Sequence, residues 1–224
     1  MIFLANLLTI LNFICGFLSI IFSLESRFTL ASWLIILSVI LDGLDGQAAR
    51  LNPASNQFGR ELDSLADLIS FGVAPVILGY TFVYRQLYLW GIIALFIYLL
   101  CGVIRLARFK VTAKEKLENY FYGLPITVSG GILASFILSC IKYNSPFTPA
   151  IFIFIVLALA LLMVSRFRYL NLSSLTHLLG RRKIIIFSVI ASGAAVFLPE
   201  ISIFALFLIY LTISPFIVRL LDSN

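Results

Sequence analysis

The chain is short of charge, of histidine and of cysteine, and each shortage removes a class of protein. Only 12% of the 224 residues are charged, against 62% that are hydrophobic. Soluble domains carry about 25% charged residues, so a soluble globular fold is excluded. The single histidine, His177, and three cysteines without C-x-x-C spacing give no zinc ligand set and no disulfide framework. Cys15, Cys101 and Cys140 each fall inside an apolar run and read as small packing residues. His177 reads as a surface residue. There is no internal repeat and no low-complexity tract. The first apolar run has no basic flank and no A-x-A cleavage site, so it reads as a retained helix and not a signal peptide.

What the chain has in quantity is long apolar runs. They recur about every 20 to 30 residues, the length that crosses a hydrocarbon core roughly 30 Å thick. Eight spans are expected, at 4–24, 29–50, 57–82, 87–109, 124–142, 148–166, 184–198 and 201–219. The seventh is short, so six spans with a re-entrant pair is the other arrangement. The expected fold is all-α: a polytopic transmembrane helical bundle, a six-span core plus a C-terminal pair, forming one domain over 1–224. Eight spans place every lysine and arginine except Arg27, Arg85 and Lys142 on one side. By the positive-inside rule that side is the cytoplasm, with both termini there and the chain in the cytoplasmic membrane. Trp33, Tyr84, Tyr88, Trp90 and Tyr143 gather at the opposite ends, as an aromatic belt does. The net charge of +6 then reflects topology and attraction to anionic membrane lipids, with no nucleic-acid partner. Polar segments at 110–120 and 165–183 face the cytoplasm, the second with a short interfacial helix from Asn171. Pro75 removes a backbone donor and predicts a kink in the third span. Small residues at Ser129–Gly131 and Ala191–Ala195 suit close helix packing or a dimer surface.

Four aspartates stand inside these apolar runs: Asp42, Asp45, Asp63 and Asp67. Carboxylates at such depth are costly without a cation, a proton or a water-filled cavity, and so mark function. Residues three and four apart share a helix face. Asp42, Asp45, Gly46, Ala49 and Arg50 therefore form a stripe at the end of span two, and Gly59, Asp63 and Asp67 one at the start of span three. Asn52-Pro53-Ala54-Ser55 is a turn signal between them. An antiparallel hairpin brings the stripes together. An all-oxygen set of this kind suits Mg²⁺ or Mn²⁺, and two such ions can clamp a diphosphate. Gly46, Ala49 and Gly59 leave room for a flat base or a phosphate, and Arg50 offers a cation to phosphate oxygens. The chemistry implied is metal-assisted transfer of a phosphate-linked group at the membrane surface. A buried ion-pair network with Arg50 and Arg60 leaves four acids against two bases. A cation transporter lacks the expected repeats and has no use for the Gly-Ala-Arg accompaniment.

The run from Asp42 to Asp67 reads D-x2-D-G-x2-A-R-x8-G-x3-D-x3-D, with all eight fixed residues present. It resembles the CDP-alcohol phosphotransferase family, integral membrane enzymes of phospholipid synthesis. The resemblance implies that Asp42, Asp45 and Asp63 hold two divalent cations, with Asp67 beside them as ligand and general base. It implies also that Gly46, Ala49, Arg50 and Gly59 accept the CDP moiety. Further stretches resemble the phosphatidylserine synthase branch: Asn6-Leu7-Leu8-Thr9 with Asn12 and Gly16, Ser70–Pro75, Cys101–Phe109, Phe121–Pro125 and Met163–Tyr169. The resemblance covers residues 5–170. It implies attack of the L-serine hydroxyl on the β-phosphorus of CDP-diacylglycerol or CDP-archaeol, release of CMP, and a homodimer. Asn6 and Thr9 can contact the CDP or make ordinary interhelical bonds. Arg105 and Arg108 can bind the acceptor or a lipid phosphate, or simply anchor the helix end. Glycerol 3-phosphate or inositol phosphate as acceptor stays open, since the shared motif does not separate these.

Overall fold

The structure, a computed structural model, describes residues 2–50, 57–112, 120–143, 149–170, 204–205 and 207–212. Helices α1 (Ile2–Leu24) and α2 (Phe28–Arg50) form the first hairpin. α1 ends in a Schellman turn: the Arg27 N–H donates to the Phe22 carbonyl (2.8 Å) and the Ser26 N–H to the Ser23 carbonyl (3.0 Å). Ser26 takes the left-handed conformation, φ 60°, that this turn demands. Between helices in lipid there is little hydrophobic drive, so hydroxyls and small residues join them. The Ser19 hydroxyl donates to the Ala31 carbonyl (2.9 Å). Deeper in, the Asn12 carbonyl of α1 accepts from Ser38 of α2 (3.3 Å) and from Ser70 (3.0 Å).

Helix α3 (Gln57–Asp67) runs into a π-helical turn, Leu68–Val73, and then into α4 (Ala74–Thr112). The expected kink at Pro75 takes this form. The Ala74 N–H reaches back five residues to the Ile69 carbonyl, and Pro75 has no N–H for the Phe71 carbonyl four residues before it. Ser70 of the turn sits against Gly16 of α1, and Phe71 against Gly130. α4 is helical throughout, yet it folds back. Leu95 lies 3.4 Å from where a Cβ on Gly79 would stand, although sixteen residues of straight helix span about 24 Å. The chain therefore reverses between Gly79 and Leu95, and two candidate membrane spans are described in this stretch, Gln57–Val83 and Leu89–Lys110.

With Ala5–Leu24 and Phe28–Gln47, these make four helices long and apolar enough to cross a membrane among the described residues. Two shorter apolar helices follow, α5 (Ile126–Lys142) and α6 (Pro149–Val164). Together they correspond to the first six expected spans. The chain is an integral membrane protein, and its apolar side chains point two ways. Tyr98, Phe71, Phe152 and Ile132 are buried between helices, while Phe17, Phe96, Phe154 and Leu161 face outward. The expected span 184–198 and the interfacial helix from Asn171 lie outside the described residues. Of the span 201–219, residues 204–205 and 207–212 are described and are helical. There Phe204 meets Phe136 with ring centroids 5.9 Å apart, and Phe207 covers Gly131.

A two-stranded antiparallel ribbon pairs β1 (Tyr120–Tyr122) with β2 (Arg168–Leu170), Phe121 opposite Tyr169. Gly123, at φ 80°, turns the chain from the ribbon into the approach to α5. Its N–H donates to the Phe167 carbonyl (2.8 Å).

Candidate active site

The last turns of α2 and of α3 carry the aspartates, and α1 packs against both. Asp42, Asp63 and Asp67 each turn one carboxylate oxygen into a common space, all within 4.8 Å of one another. Asp63 Oδ1 is buried without a hydrogen-bond partner among the described residues. Among the described side chains, Arg105, buried at 8% exposure, is the cation within electrostatic range of Asp67 and Asp42. Three carboxylates facing one guanidinium leave negative charge over. The all-oxygen donors and the orphaned Asp63 oxygen fit a hard divalent cation.

Asp45 flanks this trio and does not join it. It is 4% exposed, lies within electrostatic range of Asp63 and Asp42, and accepts from the Thr9 hydroxyl (3.0 Å). A three-residue step on a helix rotates a side chain by about 60°, and that offset turns Asp45 toward α1. Thr9 itself is buried, with its hydroxyl also 3.0 Å from the Ala5 carbonyl. One turn below, Asn6 touches the face of Gly59: a Cβ there would stand 2.9 Å from Asn6 Oδ1. Among the described residues, Gly46 is open, with no atom within 4 Å of where its Cβ would be, and so is Gly43. Ala49 and Arg50 end α2, and their side chains lie outside the described set.

The two arginines paired by sequence part company. Arg105 turns inward to the aspartates, whereas Arg108 donates to the carbonyls of Val164 (3.1 Å), Met163 (3.4 Å) and Ser165 (3.4 Å). It caps the end of α6, where helical carbonyls lack intrahelical partners. Lys110 pairs with Glu61 on the surface and ties α4 to α3.

Two neighbours of the site were not singled out from sequence as site residues. Asn12, fully buried, brings its Nδ2 to 3.5 Å from Asp67 Oδ1, while its own Oδ1 has no partner among the described residues. Its signal was present: an amide three residues after Thr9, on one face of an otherwise apolar helix. Tyr210, near the C-terminus, lies within electrostatic range of Arg105. Nothing in its local sequence announces that, because the contact depends on how the last helix docks.

Residues 2–164 match the family model described as CDP-alcohol phosphatidyltransferase. Among curated proteins, the chain is 37% identical over 168 residues to the CDP-diacylglycerol–serine O-phosphatidyltransferase of Helicobacter pylori strain 26695, covering 74% of this chain and 71% of the relative. It is 37% identical over 163 residues to the protein of that name from Bacillus subtilis, covering 73% of this chain and 87% of the relative. It is 38% identical over 168 residues to the archaetidylserine synthase of Methanothermobacter thermautotrophicus, covering 74% and 69%. The aspartate pattern, the helical scaffold that gathers it and these matches agree: the chain belongs to the CDP-alcohol phosphatidyltransferase family.

Proposed function

We propose that this protein transfers a phosphatidyl or archaetidyl group from its CDP-activated lipid to the hydroxyl of L-serine, releasing CMP. The observation that carries the reading is the Asp42–Asp63–Asp67 oxygen cluster, set in a chain similar along most of its length to enzymes named for that transfer. Asp42, Asp45, Asp63 and Asp67 would hold two divalent cations, Mg²⁺ or Mn²⁺. When bound, these would neutralise the diphosphate and the departing CMP phosphate.

The chain's own residues do the rest. Asp67 accepts the serine hydroxyl proton as the oxygen bonds to the β-phosphorus and the bond from that phosphorus to the CMP oxygen breaks. The Asn12 amide fixes the direction of Asp67, since Nδ2 faces its Oδ1. Thr9 holds Asp45. Gly46, with open space before it, Ala49, Arg50 and Gly59 accept the CDP, with Asn6 at the face of Gly59. Arg105 is placed to meet the serine carboxylate or the lipid phosphate, because a guanidinium donates to either in pairs. The site faces the cytoplasm, in keeping with the basic excess on that side, and the enzyme works as a homodimer in the cytoplasmic membrane.

The test is an acceptor panel. Purified protein in detergent receives CDP-diacylglycerol or CDP-archaeol, Mn²⁺ or Mg²⁺, and serine, glycerol 3-phosphate or an inositol compound. Serine-dependent CMP release, lost in Asp67→Asn and with chelator, is expected. Release with another acceptor alone overturns serine. No release with any pairing overturns the transferase reading.

A further inference from the structure

We propose that Tyr98 is a positioning residue for Asp67, acting through the π-helical turn that follows it. The inference rests on Asp67 being the acting carboxylate of the proposed reaction. Asp67 is the last residue of α3, and the π-turn begins at Leu68. The bearing of Asp67 relative to the rest of that span is thus set by the turn. A π-turn is less stable than an α-turn and persists where its surroundings hold it, often beside functional residues.

Three features hold this one, each from a different part of the chain. Pro75 cannot supply the N–H that an α-turn would give the Phe71 carbonyl. The hydroxyl of Tyr98, fully buried on the returning arm of α4, donates to that carbonyl at 3.0 Å. Ser129 of α5 donates in turn to the Tyr98 oxygen at 3.1 Å, which leaves the Tyr98 proton for Phe71. The widened turn also needs space on both sides. Gly16 supplies it at Ser70, where a Cβ would lie 2.7 Å from the Ser70 Cα, and Gly130 at Phe71, where a Cβ would lie 3.0 Å from the Phe71 Cα. A carbonyl left unpaired at this depth is costly, so the bond fixes the turn. If the turn closed to α geometry, the helix would gain one residue's worth of winding and Asp67 would rotate by about 100° relative to α4 and α5. It would leave the oxygens of Asp42.

The experiment compares Tyr98→Phe, Ser129→Ala, Pro75→Ala and the Tyr98→Phe/Pro75→Ala pair, all as full chains in detergent. Two readouts are taken: Mn²⁺ binding followed by the electron-spin-resonance signal of free Mn²⁺, and the kcat and KM of CMP release. Tyr98→Phe is expected to lower kcat about ten-fold, the scale of a slightly misplaced reacting group, with KM for the CDP-lipid little changed. Mn²⁺ affinity should weaken in the same variant, and Ser129→Ala should shift both readouts the same way by less. Restoring a backbone N–H at position 75 should not rescue Tyr98→Phe, because it invites the turn to close. Rescue by Pro75→Ala would overturn the proposal, since Tyr98 would then serve only to satisfy a carbonyl. Wild-type behaviour of Tyr98→Phe would overturn it too. If Tyr98→Phe does not fold, an unchanged Ser129→Ala overturns it alone. Wild-type protein that binds Mn²⁺ but releases no CMP refutes the transferase reading, while the Mn²⁺ series still tests Tyr98.

Discussion

Replacing Gly16 by alanine puts a methyl group where the π-turn already stands. The new Cβ would lie 2.3 Å from the Ser70 hydroxyl oxygen, 2.7 Å from its Cα and 2.9 Å from its Cβ. The hydroxyl can rotate away, but the Cα is main chain. α1 and the turn must therefore separate by about 1 Å to reach an ordinary carbon contact. Overpacking of this kind costs roughly 1–3 kcal/mol. Stretching the Ser70–Asn12 bond, 3.0 Å at present, adds about 1 kcal/mol. Alanine returns up to about 1 kcal/mol through its better helix propensity. The net loss is roughly 1–3 kcal/mol, a fall in Tm of about 5 °C for a chain of this size, read by thermal unfolding in detergent. Gly43→Ala is the control, because nothing stands within 4 Å of its Cβ, and it should match or exceed the wild-type Tm. Equal stability of the two variants would refute the packing argument. Gly46→Ala completes the series: its Cβ is equally free, so Tm holds, while CMP release falls at least about ten-fold as the methyl enters the space meant for the donor. Wild-type turnover in that variant would mean the space serves something else.

Three other outcomes follow from the same geometry. Thr9→Val removes the hydroxyl that Asp45 accepts, a charge-assisted bond of about 2 kcal/mol, and kcat/KM for the CDP-lipid should drop by about thirty-fold in steady-state assays. Arg105→Met takes the guanidinium from beside Asp67 and Asp42. The chelated protein should then unfold at a lower Tm, and added Mn²⁺ should restore part of it. In wild type, Mn²⁺ at a hundred times its Kd should stabilise the chelated fold by about 2.7 kcal/mol, a shift that Asp42→Asn/Asp63→Asn should not show.

The meeting of Asp42 with Asp63 and Asp67 was legible because helical periodicity alone puts Asp63 and Asp67 on one stripe and Asp42 on a stripe of its own. Spacing does not resolve the rotation between Asp42 and Asp45, and there the structure turns Asp45 aside to Thr9. The same limit explains the arginines: three residues apart reads as one face, but Arg108 is one turn nearer the exposed carbonyls of α6 and is taken by them. Pro75 announced a disturbance without its form. Whether a freed carbonyl bends the helix or is met by a donor depends on Tyr98, twenty-three residues on. The ribbon at Tyr120–Tyr122 and Arg168–Leu170 was hidden for a similar reason, since three-residue strands have too short a pattern to read and gain their bonds only from each other. Tyr210 beside Arg105 comes from the part of the chain that resembles no named relative, so neither periodicity nor resemblance pointed to it.

The Asn12 carbonyl accepts from α2 and from the π-turn at once. One atom therefore acts as a common bolt for three helical segments, and α2 cannot slide past α3 at that level without drawing it. Asp42 stands one turn beyond Ser38 on α2, and Asp67 one turn before Ser70, so the bolt lies directly next to the carboxylates of both segments. A tie at that level keeps the two carboxylate-bearing segments in register with each other and with α1.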